Sequence, residues 1–222
     1  MTERGRRRPH LAVQLPEPGA SDFAAVVSLV QAAERAVFDF VLADGDFTVL
    51  AALAAVTERI GLVCSVDTDS AQPFEAARQL ATLDHLCDGR AGWQLTGTDQ
   101  RRIEEFAAVA DALWGSWEPD AVVADAAAGV YVRPDRIRAV EHRGAQFDVR
   151  GVATVPAGPQ GRPVRVQSGG CDGFVVIPCS EHGLDDLVGR VVPMLQDRGW
   201  LAREYGGRTL RQHLGVQAPQ QC

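Results

Sequence analysis

The sequence contains no lysine, so all 22 of its Lys and Arg positions are arginine. A Schiff-base lysine and the lysine of a phosphate-binding P-loop are therefore excluded. The formal net charge is -7, whereas a face that binds nucleic acid needs clustered positive charge. We therefore expect no nucleic-acid partner, and we interpret the short arginine run within residues 1–9 as a disordered terminus.

The five cysteines lack a close Cys-x-x-Cys pair, which argues against a zinc site and against a disulfide framework. The sequence also lacks a run of about 18 apolar residues, which a membrane-spanning helix would need. The apolar core of a signal peptide does not follow the arginine run. We therefore expect reduced thiols, no bound metal, no membrane association and a cytoplasmic location.

Short apolar runs alternate with stretches of helical periodicity, which predicts an α/β domain with a parallel sheet. A length of 222 residues with 46% hydrophobic side chains is typical of one globular domain, which we assign to residues 10–216, followed by a disordered tail at 217–222. The predicted strands cover residues 11–15, 38–42, 61–66, 93–95, 164–167 and 174–177. The predicted helices cover residues 22–36, with Ser21 or Asp22 as the cap, and 48–60, 73–87 and 101–117.

The last two predicted strands are separated by only six residues, 168–173. A parallel neighbour needs a crossover of roughly a dozen residues or more, so these two strands cannot be consecutive neighbours joined by a helix. Between residues 118 and 163 the helical periodicity disappears while Pro and Gly become frequent. This segment is predicted to be a long excursion with a hairpin near residues 146–149.

Residues 76–99 combine a helix, a turn and a buried strand in a pattern that is typical of one enzyme family. The matching residues are Ala77, Arg78, Leu83, Asp84, His85, Leu86, Gly89, Arg90, Gly92 and Trp93. The segment resembles the nitrilotriacetate monooxygenase, dibenzothiophene-sulfone monooxygenase and pristinamycin synthase group of luciferase-like flavin enzymes. Cys87 stands where this group usually has Ser, and Gln94 stands where it usually has Asn.

The resemblance implies a TIM-barrel-like (β/α) fold and extends, with interruptions, from about residue 10 to residue 215. Compared with the family, the chain lacks a block after Gly170 and a smaller one after Asp99. A typical eight-stranded barrel takes about 250 residues, and only six strand candidates are present. We therefore expect an incomplete or rearranged luciferase-like barrel with about six strands.

Active sites in such barrels lie at the carboxyl ends of the strands. The resemblance places a pocket for FMN there, with a separate flavin reductase supplying the reduced cofactor and a small organic molecule as substrate. The implied cofactor contacts are Asp44, Ser65, Thr68, Gln94 and Thr96, with Ser168, Gly169 and Gly170 near the phosphate. The candidates for acid–base catalysis are Asp67, which replaces a family Ser, and His142, which lies on the long excursion.

Three functions remain open from the sequence. The fingerprint favours a reduced-flavin-dependent monooxygenase with a shortened barrel. A flavin-independent enzyme on the same scaffold is favoured by Asp67, by Ser70 in place of a Tyr, and by the loss of an Arg-Tyr pair expected after Asp99. The third is a non-catalytic homologue that binds a ligand or a partner protein.

Two further expectations concern packing and assembly. Asp84 and Arg90 are expected to form a buried pair that ties a helix end to the next strand, and His85 is expected to bind a loop. An incomplete barrel exposes sheet edges and apolar helix faces, so we expect a homodimer formed through the helices at residues 48–60 and 73–87.

Overall fold

The computed structural model describes residues 8–17, 19–167, 173–178 and 184–217. Its strands, in chain order, are β1 (His10–Gln14), β2 (Phe40–Asp44), β3 (Gly61–Asp67), β4 (Ala91–Thr96), β5 (Val122–Asp125), β6 (Val130–Val132), β7 (Val140–Arg143), β8 (Asp148–Gly151), β9 (Val164–Val166) and β10 (Gly173–Val176). Its helices are α1 (Phe23–Arg35), α2 (Phe47–Ala54), α3 (Pro73–Leu86), α4 (Gln100–Trp114), α5 (Val192–Asp197) and α6 (Leu210–His213), with a 3₁₀ turn at Pro134–Arg136 and a π-helical turn at Leu187–Val191. Most of the two predicted disordered ends, residues 1–7 and 218–222, lies outside the described ranges.

Six parallel strands form the main sheet in the order β10-β1-β2-β3-β4-β9. The sheet is curled into half of a barrel. The strands β1 to β4 follow chain order because a helix after each of the first three returns the chain to the same end of the sheet. The predicted α/β class, and the prediction of an incomplete barrel with six strands, are both confirmed.

The strands β9 and β10 lie at opposite edges of this sheet, although few residues separate them. Gln167 and Gly173 are six residues apart in the sequence, a reach of about 21 Å for an extended chain. The edge strands of a flat six-stranded sheet would be about 24 Å apart. Curling brings the two edges closer together than in a flat sheet. The prediction that the two strands are not neighbours is confirmed.

The two faces of the sheet pack against different partners. The outer face packs against the helices in the main core, which contains Trp93 and Trp114 in an edge-to-face contact with ring centroids 5.1 Å apart. The inner, concave face carries a smaller apolar cluster, because successive side chains of a strand point to opposite faces. The buried members of this inner cluster are Ala12, Phe40, Leu42, Val63, Val164 and Leu210.

The start of α1 agrees with the sequence, and the start of β2 does not. Asp22 caps α1 by accepting a hydrogen bond from the Ala25 N–H at 2.7 Å. The strand predicted from residue 38 begins at Phe40 because Val37, with a φ of 63°, turns the chain after the helix.

The helix α2 ends at Ala54, whereas the sequence predicted a helix to residue 60. The Thr57 hydroxyl donates to the Leu53 carbonyl at 2.7 Å. The Arg90 guanidinium donates to the carbonyls of Ala54 and Thr57 at 3.4 and 3.0 Å. These side chains satisfy carbonyls that a longer helix would have used, which ends α2 early.

The expected pair between Asp84 and Arg90 does not form, because carbonyl oxygens occupy the guanidinium. Besides the two contacts at the end of α2, Arg90 donates to the Ile60 carbonyl at 2.8 Å and to the Cys87 carbonyl at 2.9 Å. A guanidinium has five donors, and helix ends leave carbonyls without partners, so this arrangement satisfies both. Arg90 therefore joins α2, α3 and two strands without a carboxylate.

Asp84 is buried separately, at the end of α3. Its Oδ1 accepts a hydrogen bond from the Ala91 N–H at 3.1 Å, while its Oδ2 has no partner within the described ranges. Burial raises the pKa of the Asp84 carboxyl to about 7, against the smaller opposing effects of the Ala91 hydrogen bond and of Arg211. The expected structural role of Asp84 holds, but its partner is a backbone amide.

The excursion between α4 and β9 consists of two antiparallel hairpins, β5–β6 and β7–β8. The β7–β8 hairpin confirms the prediction near residues 146–149. The β5–β6 hairpin was not predicted, because its short strands are largely exposed and show no apolar alternation. His85 lies with its Nε2 3.2 Å from the Pro156 carbonyl oxygen, which confirms that it binds a loop.

The C-terminal helix α6 covers the concave face at the amino ends of β3 and β4. Leu210 is fully buried there. A Cβ added to Gly61 or to Gly92 would lie 2.6 Å from a methyl carbon of Leu210. Both positions must therefore be glycine so that the Leu210 side chain can pack against them. A capping box between Thr209 and Gln212 fixes the start of this short helix.

We expect Leu210→Ala to lower the free energy of unfolding by about 2–5 kcal/mol, because it leaves a cavity between the two glycines. Urea denaturation measures this value. Val216→Ala, which truncates an exposed side chain, serves as the control and should change it by less than about 0.5 kcal/mol. Gly92→Ala should also lower the free energy of unfolding. The double variant Gly92→Ala with Leu210→Ala should lower it by less than the sum of the two single effects. If the effects of the two substitutions on the free energy of unfolding were additive, the packing of Leu210 against Gly92 would be contradicted.

We expect Asp84 to make stability fall as the pH rises. The pKa of Asp84 in the folded protein, about 7, exceeds the ordinary value of 3.8. The contribution of this carboxyl to the free energy of unfolding is therefore complete below pH 4 and is lost as the pH rises through 7. The loss between pH 4 and pH 8 should be on the order of 4 kcal/mol relative to Asp84→Asn. Urea denaturation of both proteins across this range tests it. Parallel pH profiles would show that burial does not perturb this carboxyl.

Candidate functional site

Polar side chains occupy the concave face where β2, β3 and β4 end. Asp44 pairs with Ser65, and Ser65 pairs with Gln94, in the parallel registers of these strands. One step further toward the strand ends, Asp67 pairs with Thr96. Strand alternation puts all five on the same face as the inner apolar cluster. The structure thus brings together Asp67 and four of the sequence-predicted cofactor residues.

A cleft of about 870 Å³ opens at these strand ends, between the first turns of α2 and α3. The loops that follow β2 and β3 form two of its walls, and one face of α3 forms another. Its polar lining consists of Asp44, Asp46, Thr48, Ser65, Asp67, Ser70, Gln72, Glu75, Gln79 and Thr96. The position of this cleft is that of the active sites of barrel enzymes.

Four carboxylates and no arginine or histidine line the described part of the cleft. Glu75 forms an ion pair with Arg78, one turn along α3, and this hydrogen-bonded guanidinium holds the pKa of Glu75 below its ordinary value. The other three carboxylates form no ion pair within the described ranges. Their partners are uncharged: Gln14 Nε2 for Asp44 at 3.0 Å, Val49 N for Asp46 at 3.0 Å, and Asp69 N and Ser70 Oγ for Asp67 at 3.0 and 2.9 Å.

Sequence reasoning missed Asp46 and Glu75 as parts of this lining. Asp46 occupies the N-cap position of α2, two residues after β2 ends. Glu75 lies in the first turn of α3, two residues after Pro73. Both could have been found, because the first turns of the helices that follow barrel strands border the same end of the sheet as the strand ends.

Ser65 combines burial with a free hydroxyl at the cleft. The residue is 9% exposed, and it lines the cleft. Within the described ranges the hydroxyl has no hydrogen-bond partner, whereas the Ser65 carbonyl accepts a bond from the Gly45 N–H at 2.9 Å. This hydroxyl can therefore donate to or accept from a ligand or a water molecule in the cleft.

Thr68 does not line the cleft, although the sequence grouped it with the cofactor contacts. It is fully buried, and its hydroxyl donates to the Thr96 carbonyl at 2.9 Å. Its own carbonyl accepts a bond from Arg102 Nε at 2.6 Å. These contacts fasten the β3–α3 loop to β4 and α4, so Thr68 shapes the cleft from behind.

His142 lies on β7 and is not among the residues that line the cleft. Its Nε2 lies 3.0 Å from Glu105 Oε1, and the same carboxylate accepts the backbone N–H groups of Gln146 and Phe147. The hydrogen-bonded His142 holds the pKa of Glu105 below its ordinary value. This arrangement fastens the β7–β8 hairpin to α4, and the acid–base role of His142 stays a prediction.

Ser168, Gly169 and Gly170, the predicted phosphate contacts, lie outside the described residues. In the described part of the chain, no group of three or more His, Cys, Asp or Glu side chains is placed to hold a metal ion. No helix within the described ranges is long and apolar enough to cross a membrane.

The family model of luciferase-like monooxygenases matches residues 8–175, which is most of the chain. Together with a curled parallel sheet whose polar strand ends border a cleft, this match identifies the family. The chain belongs to the luciferase-like monooxygenase family.

Two curated relatives show how much of a longer enzyme the chain represents. Nitrilotriacetate monooxygenase component A of Aminobacter aminovorans is 42% identical over 142 residues, which cover 55% of this chain and 31% of that protein. One of the two subunits of pristinamycin IIA synthase of Streptomyces pristinaespiralis is 40% identical over 177 residues, which cover 72% of this chain and 64% of that protein. The chain therefore spans about a third of the first relative and less than two thirds of the second.

The fold is also found among solved structures. EDTA monooxygenase (EmoA) from Chelativorans sp. BNC1 superposes with a TM-score of 0.80 at 17% sequence identity, over 96% of this chain and 99% of that chain. This similarity establishes the luciferase-like barrel fold of the chain.

Proposed function

We propose that the protein is a flavin-dependent monooxygenase that acts on a small organic molecule in the cleft at the ends of β2, β3 and β4. The observation that carries this proposal is the convergence of Asp44, Ser65, Gln94 and Thr96 on one concave face. Membership of the luciferase-like monooxygenase family supports it. Because the chain spans only part of its curated relatives, its activity, substrate and partners are inferred from the site.

The described residues fit the ring of a flavin better than its phosphate. Ser65 and Thr96 offer hydroxyls in the cleft lining, and Gln94 lies next to Ser65 on the same face of the sheet. The described cleft lining provides no positive charge for a phosphate, so the phosphate contacts would come from Ser168, Gly169 and Gly170. When bound and reduced, FMN supplies the activation of dioxygen. The chain would orient the substrate and exclude water.

We expect a saturable change in absorbance and fluorescence when FMN is added to the protein, in its oxidised and in its photoreduced form. Ser65→Ala should weaken binding about tenfold, since one hydrogen bond to a ligand contributes on the order of 1.4 kcal/mol. Asp125→Asn, a change on an exposed hairpin, should leave binding unchanged. Absence of saturation below about millimolar FMN would overturn flavin use by this chain.

A second candidate function is a flavin-independent reaction on the same scaffold. The four carboxylates of the cleft and the absence of a described basic residue in its lining favour it, because both disfavour a phosphorylated cofactor. Asp67 would then be the acid–base group, since it ends β3 and faces the concave side. Turnover of a candidate substrate without flavin, abolished by Asp67→Asn, would select this function.

We also propose that a separate flavin reductase supplies the reduced cofactor and that the chain forms a homodimer. The edge strands β9 and β10 each have one unpaired side within the main sheet as described. Phe174 and Ile177 are 68% and 70% exposed at the β10 edge, whereas α2 and α3 expose fewer large apolar side chains.

Multi-angle light scattering at micromolar concentration should give twice the chain mass of 23.8 kDa. The double variant Phe174→Ser with Ile177→Ser should shift the mass toward one chain if the β10 edge takes part. Leu86→Ser, on α3, is the matched variant for the helix interface that the sequence predicted. A wild-type mass of one chain would contradict the dimer.

A further inference from the structure

The charge of the cleft points to the class of molecule that enters it. We propose that the cleft admits uncharged or cationic organic molecules and excludes polycarboxylates. This inference rests on the assignment of the cleft as the substrate site under the proposed function. It concerns the ligand and does not depend on which cofactor, if any, the chain uses.

The negative charge of the cleft is not neutralised by neighbouring side chains. Asp44, Asp46 and Asp67 accept hydrogen bonds only from uncharged donors in the described structure. The carboxylate of Glu75 is paired with Arg78, so it adds little to the net charge. Three uncompensated carboxylates therefore border one cavity.

Basic groups near the cleft point elsewhere. Arg102, on α4, donates to the Thr68 carbonyl, and its guanidinium lies 4.3 Å from the centroid of the Phe147 ring. The amino ends of α2 and α3 face the cleft and each contribute about half a positive charge. Two helix ends offset about one carboxylate, so the cleft keeps a net charge of about two negative charges.

Ser65 adds to the cleft a hydroxyl that a ligand can use, whether that ligand is a flavin ring or another organic molecule. The residue is more than nine-tenths buried, its hydroxyl lacks a partner in the described part of the chain, and it lines the cleft between Asp44 and Asp67. A hydroxyl can donate to a neutral oxygen or accept from an ammonium group. A polycarboxylate could use this donor, but only by approaching the three carboxylates.

Paramagnetic relaxation measures this selectivity directly. Three nitroxides of one skeleton, 4-amino-TEMPO, 4-hydroxy-TEMPO and 4-carboxy-TEMPO, are cationic, neutral and anionic at pH 7. The enhancement of amide relaxation at Gly45 and Ser70, at the cleft, is compared with that at Gly199, on the C-terminal segment. At 0.15 M salt, the relaxation enhancement at the cleft should be about four times larger with the cation than with the anion. This cation-to-anion ratio is first divided by the same ratio at Gly199.

Variants then test whether the three carboxylates cause the preference. Asp44→Asn, Asp46→Asn and Asp67→Asn combined should bring the normalised ratio close to one, since asparagine preserves the shape and can still cap α2. The matched control combines Asp125→Asn, Asp135→Asn and Asp185→Asn, which changes the net charge equally outside the cleft, and should keep the fourfold ratio. A wild-type ratio near one, or an unchanged ratio in the cleft variant, would overturn the proposal.

The flavin titration, run on the same samples, separates the two proposals. A fourfold ratio without flavin saturation would support the charge selectivity of the cleft and overturn flavin use. Flavin saturation with a ratio near one would support flavin use and overturn the charge selectivity.

Discussion

The buried guanidinium of Arg90 is the contact on which the geometry of the cleft depends. It bonds carbonyls at the ends of α2 and α3 and at the start of β3, and it precedes β4 directly. The relative positions of β3 and β4 are therefore set at their amino ends, and the parallel register carries that setting to Ser65 and Gln94 at the other end. A lysine could not make these contacts, because one ammonium cannot reach carbonyls in so many directions.

The fold was predictable where local patterns decide it. Apolar runs located the six strands, and the carboxyl ends of parallel strands had to share one edge, so Asp44, Ser65, Asp67, Gln94 and Thr96 could be grouped in advance. The early end of α2 could not be predicted, since it depends on a guanidinium far along the chain. The contact of His142 with Glu105 is also long-range, and no local pattern in either segment announces it.

The shortening of the chain and the chemistry of the cleft are separate matters in this structure. The blocks that the sequence resemblance predicts to be missing lie between β4 and α4 and between β9 and β10, whereas the cleft is lined by the continuous segment 44–79 together with Thr96 of β4. The strands that present the polar row therefore all precede both predicted gaps.

The seating of Leu210 on Gly61 and Gly92 has a consequence for biosynthesis. The four strands from β1 to β4 are translated well before Leu210, so their concave apolar face is assembled while its cover is still being made. Chains of this kind expose apolar surface during synthesis, which favours aggregation or capture by chaperones. The half-barrel can therefore close only after Leu210 has been translated, so α6 determines when this face of the sheet is covered.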